Sequence, residues 1–98
     1  MSRSVLPPDV AELVQPMPDD FAPAFEDRGR YVRWGATLTV EGGDPVAVEL
    51  GYSRAGGKAD EIAERENLRI SAWQAMEFAR LGRRDLLAHC IVGRHKRA

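Results

Sequence analysis

Residues 31–52 read "YVRWGATLTVEGGDPVAVELGY", and this stretch decides the fold. Val32, Trp34, Ala36, Leu38 and Val40 alternate with Arg33, Thr37, Thr39 and Glu41. Val46, Val48, Leu50 and Tyr52 repeat the pattern after a short interruption. A period of two puts one set of side chains on a buried sheet face and the other in water. The interruption, "GGDP" at 42–45, supplies turn chemistry, because glycine tolerates positive φ and Asp-Pro favours a bend. The stretch therefore predicts a β-hairpin. Two strands are marginal alone, so the hairpin must pack on helices or find further strands.

The helices are expected downstream. Residues 53–58, "SRAGGK", make a loop. "ADEIAERENL" begins a helix with acids in its first turn, where the dipole favours them. "SAWQAMEFARLG" offers Ser71 and Gln74 as a capping box and Gly82 as a stop. The two pieces can form one bent helix or two, and "NLRIS" can alternatively be read as a short third strand. Asp85 can cap a last helix through "DLLAHCIV", although Ile91 and Val92 also suit a strand.

Upstream, residues 1–30 are read as an arm. Asp9 and Glu12 can cap a short helix with Val10, Leu13 and Val14 on one face. Prolines 16, 18 and 23 predict an extended path after it. Phe21 and Phe25 are its large anchors, read first as staples to the core and second as contacts for a partner. The expected organisation is an arm over 1–30, a compact α+β domain over 31–92 and a basic tail over 93–98. The fold class is thus a small single α+β domain, a β-hairpin packed on two to three helices with an extended N-terminal arm, and a third short strand as the alternative.

Composition narrows the function. The chain has 98 residues, 44% apolar and 30% charged, which fits one globular domain and excludes wholesale disorder. The net charge is −1, but residues 1–50 hold nine acids and four bases, and residues 51–98 hold six acids and ten bases. Such asymmetry hints at an oriented surface. The lone Cys90 cannot form an internal disulfide, and "SRSVLPPDVAELV" lacks the apolar core of a signal peptide. No run approaches the roughly 18 apolar residues of a membrane span. A complete, cytoplasmic chain with no membrane contact is expected. Twelve arginines against two lysines suit a GC-rich bacterial or phage genome.

Each chemical motif fails on spacing. "GYSRAGGKA" sits between strand and helix as a P-loop would, but Gly57 stands where lysine is required, and Ala59 follows Lys58 where Ser or Thr should hold magnesium. What is left is an anion contact by Arg54 and Lys58 at the helix start. His89 and Cys90 are adjacent, so they diverge by about 100° on a helix and face opposite sides of a strand. No second ligand group accompanies them, so no metal site is expected. No pair of acids is framed by apolar residues for acid–base work. No catalytic residue, metal or cofactor is therefore assigned, and the chain is not read as an enzyme.

The basic set Arg80, Arg83, Arg84, Arg94, Lys96 and Arg97 is the main candidate partner surface. It could neutralise phosphates, yet no aromatic beyond Phe78 offers a stacking platform. Basic residues at a helix C-terminus also simply suit its dipole. Trp34 and Trp73 lie on apolar faces and are expected in the core. A double-stranded-RNA-binding module has a similar hairpin, Gly-Lys loop and helix. Asp60, Glu61 and Glu64 stand where that module is basic, so the match is not made. The expected function is a small protein-binding module, a stoichiometric inhibitor or accessory factor of the kind bacteria and phages encode, anti-CRISPR proteins included. The alternative is a nucleic-acid-binding regulator using the basic C-terminal segment. Homodimerisation through the hairpin edge is a further expectation.

Overall fold

Six elements run in the order α1 (Pro8–Ala11), β1 (Glu26–Asp27), β2 (Tyr31–Leu38), β3 (Val46–Ser53), α2 (Lys58–Arg80) and α3 (Arg84–Cys90). The structure, a computed structural model, describes residues 6–54 and 58–90, without the side chains of 58–60 and 88–90. The chain is a small α+β domain with a three-stranded antiparallel sheet in the order β1-β2-β3.

The alternating stretch forms the hairpin it predicts. β2 and β3 pair without interruption from Tyr31↔Ser53 to Leu38↔Val46. Val32, Trp34, Val40, Val48, Leu50 and Tyr52 are buried, and Ala36, Leu38 and Val46 pack at the margin of the same core. The connection turns at Gly42, whose φ is +80, and the Gly43 amide donates to the Val40 carbonyl (2.9 Å).

The third strand comes from the arm and not from "NLRIS". Glu26 and Asp27 pair with Arg33 and Val32. The reversal into β2 runs through Gly29 at φ +85, with the Gly29 amide donating to the Asp27 Oδ1 (2.9 Å). A left-handed residue followed by the start of a strand is a task for glycine.

Asn67–Ser71 lies inside α2, which is one helix of 23 residues. Ser71 does not cap a second helix. The reason is phase: Leu68, Ala72, Ala75 and Ala79 make one buried stripe against the sheet, joined by Phe78. A break at Ser71 would cost backbone bonds and bury nothing extra. The three alanines let the helix lie close to β2 and β3.

Gly82 ends α2 as expected, at φ +74. The Gly82 amide donates to the Ala79 carbonyl (3.1 Å) and the Arg83 amide to the Phe78 carbonyl (2.9 Å), the paired bonds of a Schellman motif. α3 then folds back and buries Leu87. In the arm, the helix cap is Pro7 and not Asp9, because Pro8 takes the first helical position, where its missing N–H costs nothing. Val10 is buried in the core, Val14 is at its margin, and Leu13 is exposed.

Candidate partner-binding surfaces

The arm is fixed along α2 by side chains that reach its backbone. The Trp73 indole N–H donates to the Gln15 carbonyl (2.9 Å). Arg69 donates to the carbonyls of Phe21 (2.7 Å), Asp19 (3.0 Å) and Pro18 (3.3 Å). Arg80 reaches the Leu13 carbonyl (2.9 Å). In the other direction the Gln15 amide donates to the Glu77 carboxylate (2.7 Å). An irregular segment has no ladder, and these bonds satisfy it. Phe21 adds an edge-on contact to Trp73, with ring centroids 5.1 Å apart.

Glu77 is the one buried charged residue among those described. Arg80 binds it through Nη2 (2.7 Å) and Nε (3.1 Å). The Arg80 guanidinium holds the Glu77 carboxyl below its ordinary pKa, against the opposing push of burial. Sequence reading passed over Glu77. Its signal was a carboxylate between Ala75 and Phe78 on the buried side, three residues before an arginine.

Arg80, Arg83 and Arg84 are brought around the Gly82 turn, but each has an internal partner. Arg80 holds Glu77. Arg83 bonds Asp85 (3.0 Å) and, across the fold, Asp9 (2.9 Å). Its pairing with Asp85 lowers the Asp85 pKa. Arg84 donates to the Asp44 carbonyl in the β2–β3 connection, lying over Gly43. Arg94, Lys96 and Arg97 lie outside the described residues, as do the side chains of His89 and Cys90.

Arg54 sits at the end of β3 and is likewise engaged. It bonds the Glu61 carboxylate (3.1 Å), Asp27 (2.8 Å) and the Gly29 carbonyl (2.8 Å). Both carboxylates raise its pKa, Glu61 most. Arg54, followed by Tyr52, in turn lowers that of Glu61. The Tyr52 hydroxyl donates to Glu61 (2.5 Å), and burial, then this bond, push its pKa up to about 12. The cluster joins β1, β3 and α2. An anion at Arg54 would have to displace two carboxylates. The Lys58 side chain lies outside the described residues.

On the arm side of α2 a different surface opens. A groove of about 680 Å³ is lined by Ala22, Pro23, Phe25, Ile62, Arg65 and Arg69, with Glu66 at its rim. Arg65 lies over the Phe25 ring, 5.4 Å from its centroid. Ile62 is 81% exposed, the most exposed large apolar residue described. Its sequence signal was an isoleucine among acids, six positions before Leu68 and therefore off the buried stripe.

Among the described residues, no group of His, Cys, Asp and Glu could hold a metal ion, and no helix is long and apolar enough to cross a membrane. Comparison with protein-family models, curated proteins and solved structures found no match.

Proposed function

We propose that the chain works by binding another protein, as a stoichiometric inhibitor or accessory factor, and not as a catalyst. The observation that carries this reading is the open groove beside Ile62. It combines an exposed aliphatic side chain, the Phe25 ring and a charged rim of Arg65 and Glu66, the makeup of a small contact site with an apolar centre. The internal pairing of Arg80 and Arg83 also favours protein over phosphate, because a nucleic acid would have to compete with Glu77, Asp85 and Asp9.

The test is affinity capture from a bacterial or phage-infected lysate with the wild-type chain and with Ile62→Asp. A protein should co-purify in equimolar amount with the wild type and fall at least tenfold with the variant, whose melting curve should be unchanged. Identical captured proteins on both, or nucleic acid alone, would sink the reading. Binding to an oligonucleotide that weakens steeply as salt rises from about 50 mM would instead support the nucleic-acid alternative.

A further inference from the structure

β3 forms one edge of the sheet, and its backbone can be sorted group by group. One step beyond the Tyr31↔Ser53 pair, the Arg54 amide donates to the Arg30 carbonyl (2.8 Å). Hydrogen-bonded pairs alternate along an antiparallel ladder. The bonded pairs are therefore Val32↔Tyr52, Trp34↔Leu50, Ala36↔Val48 and Leu38↔Val46. Ala47, Glu49, Gly51 and Ser53 aim their N–H and C=O groups away from β2. Among the described residues none of these groups has a partner and no strand lies beyond β3.

Edge strands are usually guarded by lysine, an internal proline, a bulge or short length. β3 has eight residues, an unbroken register with β2 and no proline within it. Its single charge, Glu49, is held by Arg33 (2.9 Å) on the outer face.

We propose that this edge pairs with the same edge of a second copy, giving a two-fold dimer with one six-stranded sheet. The inference is independent of the Ile62 groove, which lies on the opposite side of α2. Self-pairing must set outward-aiming residues against one another, and one register uses all four in both copies. It places Ala47 opposite Ser53 of the partner subunit and Glu49 opposite Gly51 of the partner subunit, with the two-fold axis at Leu50. Centring on Glu49 would oppose two carboxylates, which is unfavourable. Centring on Gly51 would leave Ala47 unpaired within the strand. The favoured register thus puts the strand's only charge opposite Gly51, over which the Tyr31 hydroxyl lies, and a net charge of −1 leaves little repulsion between copies.

On the inner face Val48 and Leu50 are already 2% and 3% exposed, so the pairing rests on the backbone groups of the four outward-aiming residues in each copy. Along the same edge runs a cleft of about 170 Å³ between β3 and α2, lined by Leu50, Tyr52, Glu64, Asn67, Leu68 and Ser71. A second copy would cover its open side.

Sedimentation equilibrium of the whole chain across the micromolar range tests the proposal. The wild type should show twice the monomer mass. Glu49→Pro removes an outward N–H, a place where an edge strand tolerates proline, and should be monomeric with an unchanged circular dichroism spectrum. A monomeric wild type, including one that adds a strand only from a different protein, overturns the proposal. So does a folded Glu49→Pro dimer. If that variant does not fold, Ala47→Cys with Ser53→Cys in a Cys90→Ser background decides. The register brings positions 47 and 53 of different copies to about 5.5 Å, within disulfide range. Within one strand they are about 20 Å apart. Oxidation should give a covalent dimer, and its absence overturns the register and the proposal with it.

Discussion

Glu77 and Tyr52 show how much one polar group can carry in a core this small. Glu77 is 5% exposed and accepts from Gln15 and Arg80 at once. Glu77→Ala should cost about 1–3 kcal/mol, because the Gln15 amide and the guanidinium both lose their acceptor; urea denaturation measures it. Its pKa is lowered from 4.5, so its contribution is complete above that value and is lost as pH falls through the folded one. Glu77→Gln should flatten the acid limb of the stability curve. Tyr52 behaves in the opposite sense. Its pKa is raised from 10.0 to about 12, so its contribution is complete below pH 10 and is lost as pH rises towards 12. Titration of tyrosinate absorbance should show one group ionising near pH 12, and Tyr52→Phe should remove that step. Neither role follows from local pattern alone: Glu77 also needs the Gln15 amide, 62 residues away, and Tyr52 needs Glu61 brought back to it by α2. The burial of Trp34 was legible, because alternation alone puts it on the inner face.

The hairpin is the element that local sequence describes best, and β1 is the one it hides. Glu26 and Asp27 are both exposed and carry no apolar alternation, so nothing marks them as a strand until β2 offers an edge. Local capping rules fared unevenly. Asp9 and Ser71 have the right chemistry for caps, yet Pro8 moves one boundary and the continuous apolar stripe of α2 overrides the other. Gly82 was legible for a sound reason: few residues accept φ +74. It has a second constraint that the sequence does not carry. A Cβ there would lie 2.9 Å from the Glu41 carbonyl oxygen, in the β2–β3 connection. That connection is also tied to α2 by the Glu41 amide, which donates to the Ala79 carbonyl (2.9 Å). Gly82→Ala should therefore cost about 1–3 kcal/mol from backbone strain, with the contact adding to it. Thermal denaturation checks this, and a control Gly42→Ala, with open space around its Cβ, should cost less.

Across the whole molecule, charge asymmetry between the halves is turned inward as well as outward. Arg54 meets Asp27, and Arg83 meets Asp9, each pair joining the acidic first half to the basic second half. From sequence alone the asymmetry suggested only a surface for partners. The arm is likewise part of the folding unit, with Val10 1% exposed among core residues from the sheet, α2 and α3. Val10→Ala should destabilise the entire chain by about 1–3 kcal/mol. Far-UV circular dichroism and tryptophan fluorescence should still report one coincident transition. A separate early transition in fluorescence would mean that the arm melts by itself.

The clamp on the arm has a consequence for how this protein can change. Arg69, Trp73 and Arg80 hold carbonyls, at Leu13, Gln15, Pro18, Asp19 and Phe21. A carbonyl is common to all twenty amino acids, so the grip follows the path of the chain and ignores what it displays. The exposed side chains of Glu12, Leu13 and Asp19 are free to be exchanged while the arm stays seated. The helix thus serves as a holder for a replaceable strip, on which new recognition chemistry can be written without refolding the domain beneath.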